Sequence, residues 1–482
     1  MQRILFILIL ILVIGGCTVG PDYKPLSPNE AKMPLKWHAV LPHAGSNMQM
    51  IKWWDQFNDP VLISFIESAI VTNPTLAQSV AKINQAQANF TASRSYFYPN
   101  VTANATAGAQ NNIYPGVDPS INNAGEYDFF NSVTGSTSAY SVGANASWEL
   151  DMFGAIKRGT EVYQARLDAA RNDWNDVRVS LVAQVADTYV NARECQALLL
   201  IYESQYNSRM STQKLTDLKV GAGFAPLSDS QQGFGLAMQT KSNIEKQKSS
   251  CEVFNNELVA LTGMSHEIVE SKMAFKYASI PLPKVTTISG VPADILSQRP
   301  DVSSAERSVA AAVANIGVAV ANRYPSVSLT GVISANTGSL YINEPTSWSF
   351  GPAVSLPLTN GGYLKAQVAL ANAQYDEAVA VYKYKVLIAV KEVENALVRI
   401  DRSYKRAAAA ASAVKYYQAY FSAMNTKYQI GWSNLLDLET VRINLVNYQQ
   451  NLAEANLEQV EAWIALYKAV GGSWNNDKQI YN

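Results

Sequence analysis

Apolar side chains recur at alternating steps of three and four residues through two long stretches of the chain. Residues 160–220 contain neither glycine nor proline, and neither do residues 363–430. In the first stretch Val182, Val185 and Tyr189 begin a seam of the kind by which helices pack side by side. At a rise of 1.5 Å per residue such helices would be about 90 to 100 Å long. The pattern predicts two very long helices, over 154–220 and 363–430.

Two other stretches alternate apolar and polar residues with a period of two. Residues 100–152 and 326–361 are rich in Asn, Ser, Thr and Gly, and this alternation predicts β-hairpins. Neither stretch contains Lys or Arg. Lipid-facing barrel walls disfavour these side chains, although hairpins of a soluble sandwich remain the alternative. Because two hairpins leave open strand edges, a membrane barrel would require several copies of the chain.

The same arrangement occurs twice. A shift of 226 residues places Pro74 on Pro300, and a shift of 208 residues places Gly223 on Gly431. Each repeat therefore predicts a helix, a hairpin, a very long helix, a tight turn and a returning helix. We predict repeat 1 over 61–263, with hairpin 100–152 and helices 75–98, 154–220 and 227–262. Repeat 2 covers 291–472, with hairpin 326–361 and helices 301–323, 363–430 and 434–470. Residues 264–290 are a predicted linker, and residues 473–482 a C-terminal tail.

The N-terminus has the composition of an export signal. Arg3 precedes an unbroken apolar run over 4–14, which is too short to span a bilayer and is followed by Gly15-Gly16-Cys17. We predict a signal peptide over 1–16. The segment Ile14–Cys17 resembles a bacterial lipobox, so Cys17 is the predicted lipidation site and the covalent lipid the only predicted prosthetic group. An ordinary signal with a chance cysteine is the alternative. The proline-rich residues 17–60 are then a lipidated strap.

Composition argues against several function classes. The 38 basic and 39 acidic residues nearly cancel, so no nucleic-acid partner is predicted. Cysteines and histidines show neither CxxC nor HExxH spacing, so no metal site is predicted. No local signature of a catalytic centre is present, and we predict that the protein is not an enzyme. Cys195 and Cys251 both fall on apolar helix seams and are interpreted as packing residues.

Several motifs occur in a fixed order. Val19-Gly20-Pro21-Asp22-Tyr23 follows the lipobox, Phe57-Asn58-Asp59-Pro60 comes next, and Gln298-Arg299-Pro300-Asp301 opens the second repeat. From Cys17 to about Gly472 the chain resembles the TolC-like outer membrane efflux factors, in the lipoprotein branch that serves resistance-nodulation-division pumps. The resemblance implies an α+β membrane protein. In such a homotrimer each protomer gives about four strands to an outer-membrane β-barrel, which a long periplasmic α-helical barrel continues.

The implied function is that of a passive exit duct in the outer membrane. An inner-membrane pump would deliver substrate to it through a periplasmic adaptor protein. Drug, metal and lipid cargo are all compatible with the sequence. The main alternative is a structural coiled-coil outer-membrane lipoprotein without a transport role. That alternative explains the long helices but not the duplicated hairpins without basic residues.

The resemblance also suggests functional positions at the turns between the helices. Asp229 and Asp437 each follow a turn glycine by six residues, and in a trimer they would form two carboxylate rings at the pore. The alternative is that each merely stabilises a helix N-terminus. Tyr428 and Arg442 are predicted to hold the periplasmic gate shut. The turn glycines Gly221, Gly223 and Gly431 mark the predicted adaptor-contacting tips.

Overall fold

The computed structural model describes residues 18–27, 30, 31, 33, 34, 38, 54, 57–115, 132–282, 296, 299–338 and 346–472. The predicted signal peptide, Cys17, most of the predicted strap and the tail 473–482 lie outside these residues. The helices are α1 Pro60–Thr72, α2 Pro74–Ser95, α3 Ala155–Gly221, α4 Leu227–Thr262, α5 His266–Ala274, α6 Pro300–Ala321, α7 Tyr363–Gln429 and α8 Leu435–Ala469. The strands are β1 Asn100–Pro115, β2 Ser132–Leu150, β3 Ser326–Gly338 and β4 Thr346–Ser355.

The two longest helices are continuous. α3 and α7 each contain 67 residues, which corresponds to about 100 Å. Two short helices were not expected from the sequence. α5 lies inside the predicted linker. α1 belongs to Pro60–Ser95, the one described stretch that is long and apolar enough by composition to cross a membrane. Because Leu62, Phe65 and Ile66 are fully buried within the protein, α1 is a core helix.

The chain forms two compact units. The first comprises the described part of Met1–Pro25 with Gln85–Leu167 and Ser308–Ala378, and the second comprises the described parts of Leu26–Asn84, Asp168–Arg307 and Val379–Asn482. The first unit contains the sheet. Its four strands are antiparallel in the order β1-β2-β3-β4, so β1 and β4 are the edges.

The second unit is built from antiparallel helices packed along apolar seams. Leu397, Ile400 and Leu466 are fully buried in a cluster where α7 and α8 run side by side. The chain reverses between paired helices at short turns, after Gly221 and after Gln429. Residues equally distant from such a turn lie opposite each other, because both helices rise by the same amount per residue.

This geometry corrects the interpretation of the two internal cysteines. Cys195 and Cys251 are joined by a disulfide between α3 and α4, with their Cα atoms 5.6 Å apart. Each cysteine lies 28 residues from Gly223, at the turn. The sequence interpretation of both as packing residues was therefore wrong. It considered each helix alone, whereas the bond depends on how the two helices align. A disulfide is compatible with an exported protein.

Two of the sequence motifs hold helix ends in place. Asp59 accepts hydrogen bonds from the Val61 and Leu62 amides as the N-cap of α1, and one from the Tyr189 hydroxyl at 2.6 Å. Arg299 donates to the Ala469 carbonyl at 2.6 Å, at the end of α8, and pairs with Asp301 at 2.9 Å. These motifs are therefore explained by helix capping and packing.

Candidate functional site: the sheet faces and the helix turns

One face of the sheet is apolar. Residues directly opposite each other across antiparallel strands share a face, and the register pairs Trp148 with Leu329, and Ile333 with Trp348. The same face carries further exposed large side chains: Val101, Tyr140, Val142, Phe350 and Val354. A continuous exposed apolar surface of this kind marks contact with a partner or with lipid.

The other face is polar. Thr106 and Ser141 share a hydrogen bond of 2.6 Å between their hydroxyls, and the Asn145 amide donates to Asn104 at 3.1 Å. Small side chains, most of them polar, continue this face across β3 and β4, and Val332 is a larger apolar exception. Alternation between an apolar and a polar face is the pattern of a membrane barrel strand, whose apolar side faces lipid and whose polar side faces the lumen.

Aromatic side chains mark the end of the sheet next to the helices. The Trp148 indole donates to the Phe97 carbonyl at 3.0 Å, and the rings of Phe153 and Tyr324 stack with centroids 4.7 Å apart. Trp and Tyr combine an apolar ring with a polar group, which suits the boundary between lipid and water. This end of the sheet therefore has the composition of a membrane interface.

The segment that follows Cys17 is held against this end of the sheet. The Val19 amide donates to the Phe153 carbonyl at 3.2 Å, and Arg158 pairs with Asp22 at 2.6 Å. The hydrogen bond from Arg158 keeps the pKa of Asp22 below its usual range. Gly20 has a φ of 89°, and a Cβ on it would lie 2.6 Å from the Gly317 Cα. Only glycine fits this close approach.

The two long helices end in equivalent turns. Gly223 and Gly431 adopt φ angles of 77° and 82°, the left-handed region that glycine tolerates best. The residues after them, Phe224 and Trp432, are 85% and 79% exposed. Gly221 is the last residue of α3, and a Cβ there would meet no atom within 4 Å. Its replacement would therefore cause no steric clash.

Tyr428 is buried at the end of α7, where it contacts α3. Its hydroxyl shares a 2.7 Å hydrogen bond with the Thr216 hydroxyl. The Lys219 ammonium donates to the Tyr428 carbonyl at 2.7 Å and lies 3.9 Å from the centre of its ring. Leu435 and Leu438 of α8 pack beside it. Tyr428 therefore connects α3 to the turn before α8.

Arg442 is also buried, but its partners differ from those of Tyr428. It donates to the Thr212 hydroxyl at 2.7 Å and pairs with Glu439 one turn earlier on α8. The Glu439 carboxylate also accepts a hydrogen bond from the Arg209 guanidinium of α3, with Nε and Oε2 2.9 Å apart. Burial lowers the pKa of Arg442. We call Arg209, Glu439 and Arg442 the tip triad, in which one carboxylate lies between two guanidinium groups.

Asp229 and Asp437 lie in the first turns of α4 and α8. The Asn434 side chain caps α8 by accepting from the Asp437 amide at 2.8 Å. No hydrogen bond or ion pair in the described part of the chain joins either aspartate to Tyr428 or Arg442. Both positions match the helix-dipole interpretation. The pore ring stays a prediction. In the described residues there is also no cluster of three or more potential metal ligands.

Arg209 and Glu439 were not predicted as functional residues from the sequence. Both lie on the buried sides of their helices, and Glu439 falls between the buried Leu438 and Val441. A charged residue on such a seam needs a partner of opposite charge. That signal was present in the sequence, but the partner could not be identified without the alignment of α3 with α8.

The part of the chain that matches a known protein family falls into two segments, which correspond to the two predicted repeats. The family model described as outer membrane efflux protein matches residues 65–264 and 291–472. The chain belongs to this family. The resemblance noted in the sequence is thereby confirmed, and with it the predicted fold, the outer-membrane location and the role in efflux.

Relatives and solved structures cover nearly the whole chain. Nodulation protein T of Rhizobium leguminosarum bv. trifolii is 31% identical over 473 residues, covering 96% of each chain. The solvent efflux pump outer membrane protein SrpC of Pseudomonas putida is 29% identical, covering 96% of this chain and 97% of its own. The solved outer-membrane channel OprN superposes with a TM-score of 0.81 at 27% identity, covering 95% of this chain and 100% of its own. These relatives are named for efflux, channels or nodulation rather than for catalysis.

Proposed function

We propose that three copies of this efflux protein form one passive duct across the outer membrane. The observation that carries this proposal is the sheet, which has one apolar and one polar face and unpaired edges at β1 and β4. Backbone groups at an open edge cannot be left unsatisfied in lipid. Pairing β4 of one copy with β1 of the next closes a barrel of about twelve strands with a polar interior.

The energy for transport comes from outside the duct. The polar sheet face carries mostly small uncharged side chains, with Glu149 of β2 as a charged exception, and this composition suits a water-filled passage. A duct of this kind does not select its cargo strongly, because selection lies with an inner-membrane pump. This is consistent with relatives that are named for solvent efflux and for cation efflux.

A periplasmic adaptor binds the turns after α3 and α7. Phe224 and Trp432 occupy equivalent positions in the two repeats, and both are almost fully exposed. Large exposed aromatic residues are typical anchors of protein interfaces. The glycines before them fix the turn, so Gly223 and Gly431 position the contact while Gly221 contributes little to it.

The periplasmic end is closed by contacts of α3 with the end of α7 and with the first turns of α8. Tyr428 contributes its bond to Thr216, and Arg442 contributes through the tip triad. Opening requires these buried polar contacts to separate. Asp229 and Asp437 form carboxylate rings that favour cations in the open pore.

Cys17 anchors the protein by a covalent lipid. Support comes from residues 18–23, which are held at the aromatic end of the sheet, where a lipid on the preceding residue would meet the membrane surface. The lipid adds an attachment to the membrane beside the barrel itself.

The duct proposal is tested by the mass and conductance of the purified protein. Extraction in mild detergent should yield a particle with three copies of the chain, and this particle should conduct ions in a planar bilayer. A structural stalk would give no conductance. A monomer with no conductance, from cells in which the protein is correctly exported, would refute the proposal.

A further inference from the structure

The side of α3 that meets α8 carries acidic residues halfway along the helix. Asp187, Asn191 and Glu194 are spaced by four and three residues and so share one helix face. The Asn191 amide donates to the Glu461 carboxylate at 3.3 Å, and nearer the turn Gln450 donates to the Tyr202 hydroxyl at 2.7 Å. These two contacts fix how α3 and α8 align.

The facing side of α8 is acidic as well. Glu454 and Glu461 are seven residues apart and share a face. Glu461 and Lys468 face Asp187, while Glu454 and Glu461 face Glu194. We call Asp187, Glu194, Glu454 and Glu461 the acidic seam.

Basic groups compensate the acidic seam only in part. Lys468 attracts Asp187 without forming an ion pair with it in the described part of the chain, and the resulting pKa of Asp187 is still raised. Arg406 of α7 pairs with Glu454 at 2.8 Å and also with Glu458. Within the described residues, Asp187, Glu194 and Glu461 have no ion-pair partner of opposite charge. Carboxylates that are close together, partly buried and uncompensated repel one another when all are ionised.

Protonation relieves this repulsion. Burial, followed by the charge of Glu461, raises the pKa of Asp187 to about 7. Burial, followed by the charges of Glu454 and Glu461, raises the pKa of Glu194 to about 7. Both groups therefore retain protons in the packed state at a pH where a solvated carboxyl group would be ionised.

We propose that the acidic seam is a proton-dependent contact, which holds α3 against α8 when Asp187 and Glu194 carry protons and loosens the two helices when they are ionised. The packed state binds more protons than a separated state. Its stabilisation is therefore fully present below about pH 4 and is lost as the pH rises to about 7. The tip triad differs because its carboxylate is paired with two arginines.

The inference is tested by the distance between the two helices, which can be measured whether or not the protein conducts. Spin labels on Ser204→Cys of α3 and Asn451→Cys of α8 report this distance by pulsed electron resonance at pH 5 and pH 8, on the full-length protein with its native disulfide. At pH 8 the distribution should shift to longer distances, and the midpoint of thermal unfolding should fall.

The decisive variant is Asp187→Asn combined with Glu194→Gln, which keeps the shape of both side chains but removes their charge. It should show the same distance at both pH values, and its unfolding midpoint should fall less between pH 5 and pH 8 than that of the unaltered protein. Asp173→Asn, at an exposed position of α3, is the matched control and should behave like the unaltered protein. The proposal is overturned if the unaltered protein shows no shift with pH, if the double variant keeps the shift, or if the control loses it.

Discussion

Replacing Glu439 by Gln removes one negative charge from the tip triad without changing the size of the side chain. The Glu439 side chain is 6% exposed, and those of Arg209 and Arg442 are 7% and 2% exposed. After the substitution two buried guanidinium groups face each other without a counter-ion. We therefore expect the closed contact between α3 and α8 to weaken strongly.

The magnitude follows from the burial. Removing one partner of a buried ion pair costs about 3 to 5 kcal/mol, because the remaining charge is left uncompensated. At about 1.4 kcal/mol per factor of ten, this shifts the balance between closed and open tips by roughly two to four orders of magnitude. Glu439→Gln should therefore raise the open probability in single-channel recordings and lower the midpoint of thermal unfolding.

Two controls separate this effect from a general loss of charge. Glu458→Gln removes a carboxylate from an ion pair whose side chains are 44% and 41% exposed, and such a pair contributes less than about 1 kcal/mol. Replacing Arg209, Glu439 and Arg442 together by Met, Leu and Met should restore much of the stability, since an apolar set of similar volume can substitute for a buried triad. If Glu439→Gln behaved like Glu458→Gln in both assays, the triad would not hold the tip closed.

Further predictions concern the sheet, the anchor and the pore. Ile333→Arg, at mid-strand on the apolar face, should cost about 2 to 4 kcal/mol and reduce the yield of assembled particles, whereas Ser334→Arg on the polar face should be tolerated. Equal tolerance would place β3 away from lipid. Cys17→Ser should abolish lipid attachment, which mass spectrometry of the mature N-terminus can measure. If the unaltered protein began instead at another, unmodified residue, the proposed lipid anchor on Cys17 would be wrong. The double variant Asp229→Ala, Asp437→Ala should weaken cation selectivity at low salt. The effect should be smaller at high salt, because dissolved ions screen the carboxylate rings. Unchanged selectivity at low salt would mean that both aspartates only stabilise the N-termini of their helices.

The sheet illustrates how much the sequence could predict. Alternation with a period of two and the absence of basic residues indicated strands with one apolar face, and the strand register then showed that the apolar sides of all four strands coincide. Local pattern is sufficient for the two hairpins, because β1 and β2, and likewise β3 and β4, follow each other directly along the chain. The pairing of β2 with β3 joins the two repeats and is visible only in the structure. The turns were also predictable, since Gly223 and Gly431 interrupt long runs that lack glycine.

The contacts between helices were not predictable in the same way. The disulfide, the tip triad and the acidic seam each join residues that lie far apart in sequence, on helices whose alignment no local pattern reveals. A seam repeating every three or four residues shows which side of a helix is buried, but it is nearly unchanged when the helix slides by one turn.

The sequence by itself determined the repeats, the helix lengths, the alternating strands and the family, because these depend on the order and spacing of residue types. Only the tertiary structure decided which charged residues meet. It aligned Glu439 with Arg209, where opposite charges attract, and Glu461 with Asp187, where like charges repel. The reason is that electrostatic energy depends on distances between side chains, and in this protein those distances are set by how antiparallel helices align across their turns.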